Sequence, residues 1–127
     1  MGYIFYPVAF LLGASRDGDL YKVGKLLGVK IIQNEFVAFQ ALNNSPEYMA
    51  MSNRSKILAT YGLCGFSNLG SCGIQLGVLT TMAPTRRGTI AKYLLFTMLV
   101  GCFCTFTSAA VAGMLMTNLS ELSSSAE

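Results

Sequence analysis

Between Ile57 and Ala83 the chain carries no charged side chain, yet the middle of that run reads "CGFSNLGSCG" over residues 64–73. The run is long enough to cross a bilayer, which takes about 20 residues of helix. Its centre has the wrong composition for a plain span. Gly62, Gly65, Gly70, Gly73 and Gly77 weaken a continuous helix, and Ser67, Asn68 and Ser71 bring hydrogen-bonding groups to the same place. The pattern predicts a helix broken at membrane depth. Such a break exposes N–H and C=O groups and two half-helix dipole ends, which persist where protein, water or a polar ligand completes the bonding. Asn68 and Ser71 stand three apart, so on a helix they would share a face. Interhelical bonding, worth roughly 0.6 kcal/mol per contact in membranes, would account for the two side chains but not for the crowd of glycines. By itself the stretch implies a binding place for a polar solute or an ion.

Composition puts the rest of the chain in the same setting. Of its 127 residues 53% are hydrophobic and 12% charged, with a mean hydropathy of +0.51. Soluble domains carry about 25% charged residues, and a compact domain of this size needs more polar surface than is available. An all-α membrane protein is predicted. The net charge of +3 comes without a basic stripe or interleaved aromatics, which argues against nucleic acid as a partner. With no His and no Cys-x-x-Cys pair there is no zinc motif. Cys64, Cys72, Cys102 and Cys104 read as small apolar side chains buried in apolar segments. Nothing pairs a nucleophile with a base, so an enzyme is not expected.

Five pieces follow in order. Residues 1–14 read as the end of an apolar helix whose beginning is missing; they are too short to span, lack a basic leader and are interrupted by Pro7. Residues 15–44 read as a re-entrant helical hairpin. Its first arm, "SRDGDLYKVGKLLGVK", has Asp17 or Asp19 as a cap and Leu20, Val23, Leu26 and Leu27 on one face. Its second, "IIQNEFVAFQAL", is apolar but interrupted by Gln33, Asn34 and Glu35. Neither arm can span, and such a hairpin survives only inside protein or beside a wet cavity. Residues 54–83 form the broken transmembrane helix and 87–116 a C-terminal transmembrane helix. There Gly101, Ser108, Ala109, Ala112 and Gly113 offer small faces for close packing. Residues 117–127 are a polar tail.

Orientation is contested by the charges. Arg86, Arg87 and Lys92 favour the cytoplasm, but Arg16, Lys22, Lys25, Lys30, Arg54 and Lys56 would then count on the other side. The tripeptide Asn118, Leu119, Ser120 is a glycosylation sequon compatible with an external tail. Glu35 is the costliest residue if it lies at membrane depth, where an unpaired carboxylate costs several kcal/mol, roughly 3 or more. Two readings stay open for it: an interfacial Glu at a hairpin mouth, or an acceptor or titrating group facing a polar cavity.

Three motifs then resemble one family. "NEFVAF" at 34–39 is similar to the Asn-Glu-Phe-Val-Ala-aromatic motif of concentrative nucleoside transporters. "RSKILATYGLCGFSNLGSCGIQLG" at 54–77 resembles that family's "RSE-IATYALCGFAN-GS-GIQ-GG" stretch, and "MAPTRRG" at 82–88 follows in the family's order. The resemblance implies cation-coupled symport of nucleosides by homotrimers, each with a scaffold and a mobile domain of two re-entrant hairpins and two broken helices. It implies that residues 15–44 are the second hairpin and 54–83 the second broken helix, in a plasma membrane with the C-terminus extracellular. The hairpin mouth would then face outside, which accommodates the contrary lysines. The family's motif Glu, Asn and Ser bind ribose, and those positions here are Glu35, Asn68 and Ser71; the motif Phe against the substrate is Phe66. An ionised carboxylate accepts from sugar hydroxyls, and an amide donates and accepts beside it.

Departures from the family pattern are Gly62 and Ser67 where Ala is common, Lys56 for an acid, Val78 for Gly and Cys72 for an aliphatic residue. The family's first hairpin and first broken helix, which carry the base contacts and the sodium or proton site, have no counterpart here. The chain is therefore expected to be the C-terminal portion of a transporter, supplying the ribose side of the site and not transporting alone. No cofactor is expected, and the coupling ion would bind outside these residues. The alternative is a non-transporting membrane interaction subunit or short isoform that associates with full-length transporters.

Overall fold

The computed structural model describes residues 2–14 and 18–124, with side chains through Met116. Every regular element among them is helical. The order is α1 (Tyr6–Leu11), α2 (Asp19–Ile32), α3 (Glu35–Asn44), α4 (Pro46–Met49), α5 (Asn53–Leu63), α6 (Leu69–Met82), a 3-10 turn (Pro84–Arg86) and α7 (Arg87–Ser124). Pro7 stands in the first turn of α1, where its missing N–H has no intrahelical partner to lose.

α2 is the centre of the packing. Its face of Leu20, Val23, Leu26 and Leu27 is buried, with α1 and α3 against it and α5 crossing it. Gly24 lets α1 approach, since a Cβ there would stand 2.7 Å from the Gly2 carbonyl oxygen. Leu58, Ala59 and Leu63 of α5, Ala38 and Leu42 of α3 and Ala109 of α7 join the same core, with Ala9, Leu12, Ala14, Tyr48 and Met51. Close van der Waals fit contributes to this packing. Gly113 illustrates the fit: a Cβ there would lie 2.6 Å from Leu58 Cδ2. Nearby, Arg54 donates from Nε to the Gly13 carbonyl at 2.9 Å and from Nη1 to the Gly113 carbonyl at 3.0 Å. One guanidinium thus ties the end of α1 and the length of α7 to the start of α5.

The entry to α2 differs from expectation. Gly18, at φ +86°, precedes the helix, and Asp19 is its first residue rather than its cap. The Asp19 carboxylate instead accepts from the Ser52 N–H at 3.0 Å and the Ser52 hydroxyl at 2.9 Å. Burial pushes the Asp19 carboxyl up, but the bonds from Ser52 and Ser55, helped by Lys22, outweigh it and leave it below its usual pKa. Asp17, the other expected cap, and Arg16 lie outside the described residues.

Among the described residues, one helix is long and apolar enough to cross a membrane, Pro84–Met116, with a mean hydropathy of 2.0 over its most apolar 18 residues and little of that stretch covered by the rest of the chain. α7 continues as helix to Ser124, so residues expected as a polar tail prolong it. The side chains of 117–124, the sequon included, and residues 125–127 lie outside the described set. α6 is also apolar, and none of its residues is buried. The cysteines correct the expectation of burial: Cys102 alone is buried, Cys72 is half-buried, and Cys64 and Cys104 are exposed.

Candidate functional site

Two helix interruptions meet in the middle of the molecule. In the first, α2 stops at Ile32, and Gln33 and the extended Asn34 lead into α3. In the second, α5 stops at Leu63, residues 64–68 leave the helix, and the extended Asn68 leads into α6. Each second half-helix is capped by an asparagine. Asn34 Oδ1 accepts from the Val37 N–H at 2.9 Å, and Asn68 Oδ1 accepts from the Ser71 N–H at 2.7 Å.

The second cap does more. With its oxygen held by Ser71, the Asn68 amide turns its Nδ2 to the other break and donates to Glu35 Oε2 at 2.6 Å. Glu35 is 6% exposed and Asn68 1%. Glu35 is the first residue of α3 and its partner caps α6, so the carboxylate lies at the positive ends of two half-helices. That placement offsets part of the cost of burying a carboxyl group.

α7 holds the second break in shape. Gly65 has φ +120°, a region that side chains avoid, and a Cβ there would lie 2.6 Å from Thr105 Cγ2. Gly101 admits Ser67, whose Oγ would be 2.8 Å from an added Cβ, and the Cys102 thiol donates to the Ser67 carbonyl at 3.7 Å.

The structure therefore joins Glu35 to Asn68 directly and brings in Ser71 through its backbone N–H. Asn68 and Ser71 do not share a helical face, because Asn68 is the cap and its side chain folds back onto the helix end. Ser71 and Phe66 line a cavity of about 160 Å³ with Ser67, Gln75 and Thr97, between α6 and α7. The Phe66 ring is 71% exposed and tilts against Phe36, with ring centres 6.4 Å apart. Among the described residues no group of three His, Cys, Asp or Glu side chains is placed to hold a metal ion.

Two residues at the breaks were not singled out in the sequence as belonging to them. Phe36, beside Glu35, is one; nothing but its neighbour marks it. Lys30 is the other, which along the sequence counts as one more hairpin charge. It is fully buried, donating from Nζ to the Gly62 carbonyl at 2.9 Å and to Thr105 Oγ1 at 3.2 Å, with Nζ 5.8 Å from the centre of the Phe106 ring. A signal was available, since Lys30 follows Val23, Leu26 and Leu27 at helical spacing and so falls on their buried face.

An all-helical apolar chain whose two interrupted helices meet at a buried polar pair has the architecture of a secondary transporter. Residues 1–113 match the family described as "Na+ dependent nucleoside transporter C-terminus", and the chain belongs to that family, the concentrative nucleoside transporters, in their C-terminal region. It is 40% identical over 126 residues to the mouse sodium/nucleoside cotransporter 1, covering 89% of this chain and 19% of that protein. It is 39% identical over 126 residues to the human solute carrier family 28 member 3, covering 89% of this chain and 18% of that protein. The chain thus spans about a fifth of the length of these relatives (19% and 18%). Among solved structures, CNTnw in an inward-facing substrate-bound state is similar, with a TM-score of 0.79 and 34% identity over 88% of this chain and 28% of that one. A CNTnw variant in its intermediate 3 state gives a TM-score of 0.83 and 32% identity over 90% of this chain and 28% of that one. The family is one of membrane transporters, not enzymes.

Proposed function

We propose that this chain supplies the ribose-binding side of the substrate site in a cation-coupled nucleoside symporter. The observation that carries the reading is the Glu35–Asn68 bond, which unites a buried carboxylate and a buried amide from two separate helix breaks. Asn68 is the one hydrogen-bond partner of the Glu35 carboxylate among the described residues, so acceptor capacity is left for sugar hydroxyls. The Ser71 hydroxyl adds a donor or acceptor near the same helix end, and Phe66 with Phe36 provides an aromatic wall. A site built on such groups rejects analogues that lack the hydroxyls.

In this reading α2 and α3 are a re-entrant hairpin, α5 and α6 a broken helix, and α7 the last span, with the C-terminus outside the plasma membrane. One wall is not a whole site, so these residues alone do not transport. Base contacts and the sodium or proton site belong to other residues of the working homotrimer. The test joins this chain to the N-terminal portion of a full-length relative and measures sodium-dependent uridine uptake. Glu35→Ala and Asn68→Ala are expected to abolish it, and uptake that survives both removes the assignment. Ser71→Ala leaves the backbone bond to Asn68 in place, so its effect reads the hydroxyl alone: a several-fold rise in KM is expected.

The bare apolar surface of α6 favours a second reading, a non-transporting subunit that binds full-length transporters. Co-expression with a full-length relative decides it: no co-purification and unchanged uptake count against this reading.

A further inference from the structure

Lys30 is the most deeply buried charge among the described residues, and nothing in the ribose reading uses it. An ammonium with no exposure costs several kcal/mol to desolvate unless its donors are met. Here they are met from two other elements. Lys30 comes from the last turn of α2, Gly62 from the last turn of α5, and Thr105 and Phe106 from α7.

The Gly62 carbonyl is the decisive partner. The last carbonyls of a helix have no amide to accept from. At the end of α5 the Cys64 N–H takes the Thr60 and Tyr61 carbonyls, and the Lys30 ammonium takes that of Gly62. This is the negative end of a half-helix, where carbonyls freed by a break in a transporter helix attract a monovalent cation. The Thr105 hydroxyl is oriented to serve the same cation, because it donates to the Cys102 carbonyl at 2.9 Å and leaves its oxygen to the ammonium.

We propose that Lys30 is the resident cation of this half of the fold. Its tethered ammonium occupies the carbonyl end of the broken helix that a free monovalent cation would otherwise be drawn to. In doing so it locks α2, α5 and α7 in the register at which Glu35 meets Asn68. Lys30 is a positioning residue, and that last consequence rests on the ribose reading whereas the first does not.

The test is chemical rescue. The purified chain in detergent micelles is unfolded by heat, with Lys30→Ala compared to the parent in ethylammonium chloride and in choline chloride at equal ionic strength. Lys30→Ala is expected to lower the midpoint by roughly 4–10 °C, the effect of orphaning a buried carbonyl in a chain of this size. Ethylammonium, a free analogue of the missing group, should restore most of the loss. Choline has no N–H to donate and should restore none, and the parent should respond to neither. Equal effects of the two salts, or a Lys30→Ala midpoint at the parental value, overturn the proposal. Lys30→Met keeps the volume and removes the charge and donors, so it should be destabilised without rescue. A Lys30→Met chain as stable as the parent overturns the proposal even where Lys30→Ala does not fold. Uptake in the fused transporter separates the two readings. Amine rescue together with uptake indifferent to Glu35→Ala keeps Lys30 as the resident cation and removes the ribose assignment.

Discussion

The two sides of the central crossing differ in sign and in openness. On one side the N-terminal ends of α3 and α6 converge on Glu35; on the other, the C-terminal end of α5 meets the ammonium of Lys30. Each charge lies at half-helix ends of the opposite polarity, which is the arrangement that the backbone dipoles favour. The carboxylate side keeps unspent acceptor capacity and has two exposed phenyl rings beside it. The ammonium side has Gly62, Thr105 and the Phe106 ring around it and no exposure. The two charges thus differ in that the carboxylate is bonded across two breaks and the ammonium is closed in by the protein's own groups.

The strongest way to break this comparison is Asn68→Ala. It removes the cap of α6, worth about 1 kcal/mol, and leaves a buried carboxylate unpartnered, worth about 1–3 kcal/mol or more. Unfolding of the purified chain in detergent should show a loss exceeding that of the Lys30 variants. A smaller loss would mean that the carboxylate side is already hydrated and not held by the amide.

Next comes Gly65→Ala, which forces a side chain into a positive φ and against Thr105; roughly 1–3 kcal/mol is expected. Thr105→Ser removes the methyl group and keeps the hydroxyl on Lys30, so the double variant should recover the part due to the clash. No recovery would place the whole cost in the backbone. Asn34→Ala should cost about 1 kcal/mol, since this asparagine caps α3 but makes no cross-break bond among the described residues. Equal losses at Asn34 and Asn68 would erase the distinction between the two caps. Glu35→Gln is the smallest in stability, because the Asn68 amide still finds an oxygen, with a change of about 1 kcal/mol or less. In the fused transporter it should raise KM about tenfold, the effect of losing roughly 1.4 kcal/mol of charge-assisted bonding.

Much of the core was legible because periodicity reports burial. The spacing of Leu20, Val23, Leu26 and Leu27 marks the face that α2 buries, and the small residues Ala109 and Gly113 lie where α7 packs closely. The interruption at 64–68 lies among the glycines and polar residues that stand out in the sequence. The same periodicity places Lys30 on the buried face, but a charge at such a position is read as an exception until its partners are known. Those partners, Gly62 and Thr105, are 32 and 75 residues away along the chain.

By itself, then, the sequence determined that the chain is helical and apolar, where its helices are interrupted, and which family it belongs to. These follow from local composition and from motifs read along the chain. Only the tertiary structure decided that Asn68 is a cap whose amide reaches Glu35, that Ser71 enters through its backbone, and that Lys30 closes the opposite end. Hydrogen bonds between distant breaks depend on how half-helix ends meet in space, and a chain's spacing does not record which ends those will be.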